Sequence, residues 1–262
     1  MKNNISALLL AAGLGTRLRP FSDVLPKCLM PIRGVPLLEI WLDTLKKISI
    51  DKVLVNIHYK KDEVIDFLSR SKFKGWVEST YEPVLLGTAG TIRENYPFFQ
   101  NKTAFIAHSD NLCICNFNDF LDFHINKRPK NTEITMMTFR TMTPETCGIV
   151  DIDTEGVVIN FFEKIKNPPG NLANAAIYLL EPKVIDWIAA NKQASDFSNH
   201  VLPEWVGKIA TWENTNTMID IGSPRSLIQS QSIQVDQSFE NHDSWLADYS
   251  LNPIHDMIRE FM

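Results

Sequence analysis

The chain has 262 residues, of which 44% are hydrophobic and 22% charged, a composition typical of a globular protein with a full hydrophobic core. Its formal net charge of -5 argues against a nucleic-acid partner, because proteins that bind nucleic acids usually carry a basic excess. No apolar run reaches the roughly 18 residues that a membrane-spanning helix needs, so no membrane partner is expected.

The first apolar stretch is Ile5-Ser6-Ala7-Leu8-Leu9-Leu10. It is too short for the apolar region of a signal peptide and predicts a buried first strand instead. The cysteines form no CxxC pair, which makes a zinc site improbable on spacing and favours reduced, buried thiols in a cytoplasmic protein. These cysteines are Cys28, Cys113, Cys115 and Cys147.

Short apolar runs then alternate with amphipathic helical patterns. This alternation predicts an α/β fold with a mainly parallel central sheet and helices on both faces. The predicted strands cover residues 5–11, 52–57, 76–81, 103–108 and 133–139, and the predicted helices cover residues 36–48, 61–71, 88–95 and 117–126.

The pattern changes in the second half of the chain. Residues 148–153 and 157–163 flank a turn-like Thr-Glu-Gly and predict a small β-hairpin insertion. A strand at 173–180 and helices near 182–190 and 198–206 follow, and Ser223-Pro224 predicts the start of a helical C-terminus. We expect one domain over residues 1–237. Residues 238–262 are expected to form a helical or irregular tail, packed on that domain or on a second subunit of a homodimer.

A glycine-rich turn follows the first predicted strand, with the sequence Ala11-Ala12-Gly13-Leu14-Gly15-Thr16-Arg17. Glycines after a buried strand let backbone N–H groups approach phosphate oxygens. The third glycine of a dinucleotide-binding fingerprint is missing, since Leu18 stands there, and no Walker lysine follows. Arg17 and Lys27 are cations suited to phosphate.

Two segments carry a closer resemblance. Gly13-Leu14-Gly15-Thr16-Arg17-Leu18-Arg19-Pro20 and Leu25-Pro26-Lys27-Cys28-Leu29-Met30-Pro31 resemble the signature of the sugar-1-phosphate nucleotidyltransferases, a family that includes mannose-1-phosphate guanylyltransferases. The resemblance implies a Rossmann-like, glycosyltransferase-A-like fold whose glycine loop wraps the triphosphate of an NTP. It also implies that Arg17 holds the departing pyrophosphate and that Lys27 contacts the phosphate under attack.

The segment from Glu82 to Gly90 resembles the family's Leu-Gly-Thr-Ala-Gly segment, which lines the base and ribose pocket. Thr88 is also a candidate N-cap for the following helix. The nucleotide-binding residues implied by the resemblance are Ala11, Ala12, Gly13, Gly15, Thr16, Arg17, Glu82, Gly87, Thr88 and Asp110.

Asp110 follows a predicted strand at the edge where open α/β sheets bind ligands. The family usually has Gly-Asp there, and this chain has Ser109-Asp110. Asp220 lies in a segment that resembles the family's Asp-Ile-Gly-Thr-Pro. The resemblance implies that the two carboxylates meet and hold Mg²⁺, the expected cofactor, whose preferred ligands are hard oxygens.

Glu163, Lys164 and Asn174 resemble the residues that bind the sugar phosphate in this family. Ala176 stands where the family usually has glycine, and its methyl group is expected to crowd the sugar pocket. The catalytic residues implied by the resemblance are Arg17, Lys27, Asp110, Lys164 and Asp220.

The resemblance therefore implies an enzyme that converts an NTP and a sugar 1-phosphate into an NDP-sugar and pyrophosphate. The wording of the motifs favours GTP with a mannose- or heptose-type 1-phosphate, as used in cell-surface polysaccharide biosynthesis. One alternative is a cytidylyl- or uridylyltransferase acting on another sugar phosphate, or on a non-sugar phosphate such as phosphocholine or a phosphonate. Another is a non-catalytic nucleotide sensor, which the retained charged residues disfavour.

Overall fold

The computed structural model describes residues 4–235 and 243–262. The contacts within the chain divide it into two units, and neither is a continuous stretch of sequence. Of the described residues, the first unit comprises 4–8, Leu85–Ala107 and Cys115–Met218, and the second comprises Leu9–Val84, His108–Ile114, 219–235 and 243–262. The expected domain boundary after residue 237 lies outside the described residues.

Strands and helices alternate along the described chain. The strands are β1 (Ile5–Leu10), β2 (Pro31–Ile32), β3 (Val35–Pro36), β4 (Lys52–Ile57), β5 (Val77–Tyr81), β6 (Thr103–His108), β7 (Asn111–Ile114), β8 (Ile134–Arg140), β9 (Gly148–Ile152), β10 (Val158–Glu163), β11 (Leu172–Leu180), β12 (Ile209–Glu213) and β13 (Thr217–Asp220). The helices are α1 (Phe21–Val24), α2 (Leu37–Lys47), α3 (Lys61–Leu68), α4 (Thr88–Glu94), α5 (Tyr96–Phe99), α6 (Phe117–Asp122), α7 (Pro182–Ala190), α8 (Pro224–Ser230), α9 (Ser244–Ser250) and α10 (Ile254–Phe261).

In the first unit the strand order is β10-β9-β11-β6-β1, and β11 also pairs with β8, which pairs with β12. Strand β11 runs antiparallel to β6, β8 and β9, whereas β12 is parallel to β8. The register of β11 against β8 shifts between Asn174 and Tyr178, so β11 has a β-bulge there. Fully buried residues of β6 and β11, such as Phe105 and Ile177, form part of the core of this unit.

The predicted hairpin is confirmed. Strands β9 and β10 pair antiparallel, with Gly148 opposite Glu163. The Asp153 carboxylate accepts hydrogen bonds from the amides of Glu155 and Val157, and Gly156 has a φ of 79°. An aspartate that caps its own turn and a glycine in the left-handed region are what a tight hairpin connection requires.

In the second unit β4 and β5 pair in parallel, with Val53 opposite Val77. A parallel pair needs a crossover connection, and α3 provides it. Helix α8 begins with a capping box between Ser223 and Ser226, as the Ser-Pro sequence predicted. The C-terminal residues also lie on this unit, because the Phe261 ring meets the buried Phe21 edge-on at 5.0 Å.

The predicted α/β class with a central sheet and a helical C-terminus is confirmed. Some helical predictions were wrong in kind or extent. The predicted helix at 117–126 is an α-helix only to Asp122 and continues as the π-helical turn Phe123–Lys127, and the one near 198–206 consists of π-helical and 3-10 turns. Among the described residues, no helix combines the length and apolar character that crossing a membrane requires.

Candidate functional site

The residues expected to bind substrates fall into two groups. The second unit contains Ala11, Ala12, Gly13, Gly15, Thr16, Arg17, Lys27, Glu82, Asp110 and Asp220, and the first unit contains Gly87, Thr88, Glu163, Lys164 and Asn174.

Lys27 is the centre of a charged cluster in the second unit. It begins the 3-10 turn Lys27–Leu29 and is only 8% exposed. Its ammonium donates to Asp110 Oδ2 at 2.5 Å and to Asp220 Oδ1 at 2.9 Å. Burial alone would lower the pKa of Lys27, but the two carboxylates outweigh it and raise the pKa, so the side chain stays a cation.

The two aspartates reach Lys27 from different strands. Asp110 lies in the turn after β6, and Asp220 ends β13. The amide of Ile221 donates to the Asp110 carbonyl at 3.1 Å and holds the two segments side by side. Burial tends to raise the pKa of Asp110, but Lys27 and His108 outweigh it and lower the pKa, so this carboxylate is ionised at neutral pH.

The donor set fits a hard divalent cation. Two carboxylates from separate segments converge on a single positive charge, the Lys27 ammonium, which stands where a cation is stabilised. Within residues 4–235 and 243–262, no group of three His, Cys, Asp or Glu side chains forms a metal cage. Two protein carboxylates without a third ligand suit a metal that completes its shell with phosphate oxygens and water.

The glycine loop is held by an amide that sequence reasoning missed. The Ala11 amide donates to Asn56 Oδ1 at 2.7 Å, and Asn56 donates to Glu82 Oε1 at 2.9 Å. Asn56 and Glu82 are both buried. Glu82 thus supports the loop through Asn56. An amide among the otherwise apolar residues 53–57 of β4 was the signal that could have revealed it, since buried polar groups need partners.

The loop also leaves room for a ligand. Gly15 has a φ of 64°, which a side chain would strain, and a Cβ there would lie 3.1 Å from Ser22. A Cβ at Gly13 would meet nothing within 4 Å. Thr16 begins the next 3-10 turn, and the exposed Arg17 places Nη2 3.9 Å from Asp220 Oδ2.

Ser109 also contacts the start of this loop. Its buried hydroxyl donates to the Leu10 carbonyl at 2.8 Å, and its amide donates to the same oxygen at 3.0 Å. The serine therefore replaces the expected glycine without strain and joins the Asp110 turn to the end of β1. From the sequence, Ser109 was only a departure from the family's usual Gly-Asp.

Gly87 and Thr88 open α4 in the first unit. The expected N-cap role of Thr88 is wrong, because Gly87 occupies the cap position and the Thr88 hydroxyl accepts from the Phe197 amide at 2.7 Å. The Ser195 carbonyl takes over the capping function by accepting from the amides of Ala89 and Gly90. A Cβ at Gly87 would lie 2.4 Å from that carbonyl oxygen, so close packing explains this glycine.

Glu163 and Lys164 lie at the end of the hairpin strand β10. Lys164 has a φ of 49°, and its exposed ammonium lies 3.2 Å from Glu163 Oε1. A Cβ on Gly148 would approach Glu163 Oε2 to 2.7 Å, so glycine at this position leaves space for the carboxylate. The pair offers one anionic and one cationic group at the same strand end.

Asn174 uses its amide to shape the bulge in β11. Its Oδ1 accepts from the Ala176 amide at 2.9 Å, and its Nδ2 donates to the Tyr178 hydroxyl at 2.6 Å. Ala176 has a φ of 55°, a conformation in which glycine is favoured, which explains why glycine is usual there. Tyr178 is a second residue that sequence reasoning missed.

Comparison with known proteins identifies a family model and several relatives. A family model described as nucleotidyl transferase matches residues 6–237. Mannose-1-phosphate guanylyltransferase of Mycobacterium tuberculosis is 29% identical over 87% of this chain. Mannose-1-phosphate guanylyltransferase 1 of Arabidopsis thaliana is 29% identical over 88%. The chain spans 64% and 65% of the length of these two relatives.

The fold is also that of a solved structure. A Bacillus anthracis protein, named provisionally as a glucose-1-phosphate thymidylyltransferase and solved in complex with sucrose, superposes with a TM-score of 0.76. It is 22% identical, and the match covers 88% of this chain and 97% of that one. Members of the family generally use divalent metal ions, which the Asp110 and Asp220 carboxylates are suited to bind. The chain belongs to the nucleotidyl transferase family.

Proposed function

We propose that this protein is a sugar-1-phosphate nucleotidyltransferase, which joins an NTP to a sugar 1-phosphate and releases pyrophosphate and an NDP-sugar. The observation that carries the proposal is the Lys27 ammonium bonded to both Asp110 and Asp220 beside the glycine loop. A phosphate-binding cation next to two carboxylates provides for two negatively charged reactants and for the metal that accompanies them.

The glycine loop would hold the triphosphate of the NTP through its backbone amides, since Gly13 leaves the approach open. Arg17 is exposed, and its guanidinium would bind the β- and γ-phosphates and stay paired with them as they leave as pyrophosphate. Lys27 would contact the α-phosphate under attack. Asp110 and Asp220 would hold Mg²⁺. Its positive charge would offset the repulsion between the sugar phosphate and the α-phosphate that it attacks in line.

The sugar 1-phosphate would bind in the first unit. Lys164 supplies a cation for the phosphate, and Glu163 supplies a carboxylate that accepts hydrogen bonds from sugar hydroxyls. Asn174 would orient the sugar, or act on it through the bulge that it supports. The sugar phosphate is already ionised at neutral pH, so the attack needs positioning and charge neutralisation rather than a general base.

For the substrates we propose GTP and a mannose- or heptose-type 1-phosphate. The support is the name of the relatives, which in Mycobacterium tuberculosis and Arabidopsis thaliana are mannose-1-phosphate guanylyltransferases. With these substrates the protein would be a cytoplasmic enzyme, with Mg²⁺ as its metal, that supplies activated sugars for cell-surface polysaccharides.

The test is pyrophosphate release with Mg²⁺ across GTP, UTP, CTP, ATP and dTTP, each against a panel of sugar 1-phosphates. We expect one strong combination, with Asp110→Asn as the inactive control and Asp122→Asn, an exposed partner of Lys127, as the active one. Turnover only with phosphocholine or a phosphonate would identify the non-sugar alternative. Tight NTP binding with no turnover on any acceptor would identify a sensor.

A further inference from the structure

We propose that Tyr249, on helix α9, positions Lys27 by holding the backbone of the turn that carries this lysine. The inference rests on the proposed function, because it assumes that Lys27 contacts a substrate phosphate. Tyr249 follows the residues 6–237 that the family model matches. It is therefore a contribution from outside the family's signature segments.

The contact is a single buried hydrogen bond within the second unit. The Tyr249 hydroxyl donates to the Leu29 carbonyl at 2.6 Å. Leu29 ends the 3-10 turn that Lys27 begins, and the turn is closed by the Met30 amide, which donates to the Lys27 carbonyl at 3.2 Å. A turn of three residues has few hydrogen bonds of its own, so an outside donor that fixes one of its carbonyls also fixes the direction of the lysine.

The Tyr249 hydroxyl remains a donor at any working pH. Burial raises the pKa of Tyr249 well above its ordinary value, and the neighbouring Cys28 raises it further. The phenol therefore stays protonated, and the bond to Leu29 persists while the charges around Lys27 change during a reaction.

The Tyr249 ring is itself held firmly. The Trp245 ring stacks on it at 5.1 Å, and His255 meets it edge-on at 5.0 Å. Asp243 caps α9 and accepts a hydrogen bond from the buried Arg70 at 2.7 Å. An aromatic ring packed on two sides and a capped helix leave the hydroxyl little freedom, as positioning requires.

A second side chain holds the residues that follow the turn. Gln231 donates to the Pro31 carbonyl at 2.8 Å and accepts from the Arg33 amide at 2.9 Å. The backbone from Leu29 to Arg33 is thus fixed at three points by side chains from the C-terminal part of the chain. Tyr249 provides the point nearest to Lys27.

The direct test is Tyr249→Phe, which keeps the ring and its stacking and removes only the hydroxyl. We expect kcat to fall about tenfold, because a small displacement of a group that contacts the reacting phosphate is costly, while KM for both substrates stays within about twofold. Tyr96→Phe is the matched control. Its hydroxyl donates to Asp186 at 2.8 Å on the surface of the first unit, and its loss should leave kcat unchanged.

A double-mutant cycle separates positioning from general destabilisation. If Tyr249 acts through Lys27, then Tyr249→Phe lowers kcat in the wild type and leaves it unchanged in a Lys27→Met background. A further fall of the same size in that background would overturn the proposal. If Lys27→Met alone turned over normally, the role of Lys27 in the proposed function would be wrong instead.

Amide hydrogen exchange gives a readout that needs no turnover. In Tyr249→Phe the amides of residues 27–33 should exchange faster than in the wild type, and peptides of the first unit should exchange at the wild-type rate. In the control Tyr96→Phe, the peptide covering residues 27–33 should also exchange at the wild-type rate. Unchanged exchange over residues 27–33 would show that the hydroxyl does not hold the turn, whatever the substrates are.

Discussion

The ammonium of Lys27 lies 2.5 Å from Asp110 Oδ2, so it occupies a direction from which a metal ion would approach this carboxylate. If Asp110 binds a metal ion as proposed, Lys27 and that ion would therefore compete for the same oxygen in the absence of nucleotide. A unit charge about 4 Å away is worth about 4 kcal/mol near a protein surface, and about a third of that corresponds to a tenfold change in affinity.

Replacing Lys27 with methionine should consequently separate metal binding from catalysis. We expect Lys27→Met to bind Mn²⁺, used as a spectroscopic substitute for Mg²⁺, at least about tenfold more tightly without nucleotide. We expect its kcat to fall by about a hundredfold or more, since one preorganised cation is lost. Lys127→Met, which loses an exposed pair with Asp122, is the control for both measurements. Equal or weaker Mn²⁺ binding in Lys27→Met would contradict the competition.

Gly13→Ala tests whether the open space at the glycine loop belongs to a phosphate. A Cβ at Gly13 meets nothing within 4 Å, and Gly170 is equally open in the first unit. Neither alanine variant should therefore lose stability, and each should gain up to about 1 kcal/mol because alanine restricts the unfolded chain. Only Gly13→Ala should weaken NTP binding, by about tenfold or more, because the methyl group blocks the backbone approach. Titration calorimetry with each NTP measures this. Wild-type affinity in Gly13→Ala would mean that the triphosphate does not bind here.

Ala176→Gly should stabilise the protein. Alanine in the left-handed region costs about 1–2 kcal/mol, and replacing it with glycine relieves this strain. The greater freedom of glycine in the unfolded chain destabilises the variant by about 0.5–1 kcal/mol and so offsets part of the gain. A φ of 55° at Ala176 therefore predicts a net gain of about 0.5–1 kcal/mol in the free energy of unfolding. The neighbouring Ala175 is buried and outside the left-handed region, so Ala175→Gly should destabilise. Urea titration compares the two, and a loss of stability in both would refute the strain argument.

The Asp110–Lys27 pair should make the free energy of unfolding depend on pH in two windows, one alkaline and one acidic. Lys27 has a raised pKa, so its contribution is present below its ordinary value of 10.5 and is lost as pH rises through the folded value. Asp110 has a lowered pKa, so its contribution is present above 3.8 and is lost as pH falls through its folded value.

The measurement is the free energy of unfolding of the wild type and of Asp110→Asn between pH 3 and pH 8. Their difference should be constant from about pH 5 upward and should shrink below about pH 4, where the unfolded carboxyl binds its proton first. Asp122→Asn is the control, and its difference from the wild type should change far less with pH, because solvent screens the exposed Asp122–Lys127 pair. A difference that grows toward acid would mean that Asp110 is protonated in the folded protein.

The elements that the sequence predicted best are those whose local signals coincide. Strands β4 and β6 agree to the residue with the predicted ranges, because each is an apolar run ending at a turn. Helix α7 also agrees, because Pro182 fixes its first turn. In contrast, β12 was missed. It is a short strand containing a tryptophan and a glutamate, and its partner β8 lies far away in sequence.

The site divides in the same way. Motif positions such as Lys27, Asp110 and Asp220 were predicted through resemblance, and the structure places the Lys27 ammonium against both carboxylates in the second unit. Their roles in binding and catalysis stay predictions. Asn56 and Tyr249 were not predicted, because their importance lies in hydrogen bonds to backbone groups distant in sequence. Such bonds depend on the packing of whole elements, which no local pattern specifies.

The burial of Cys28 next to Lys27 gives the protein an internal chemical reporter. Burial raises the pKa of this thiol to about 12, and the Asp110 carboxylate contributes to the shift. A thiolate is the species that reacts with alkylating reagents, so Cys28 is protected for as long as its turn remains closed. The rate at which iodoacetamide modifies Cys28 would therefore report how often the segment that carries Lys27 opens to solvent.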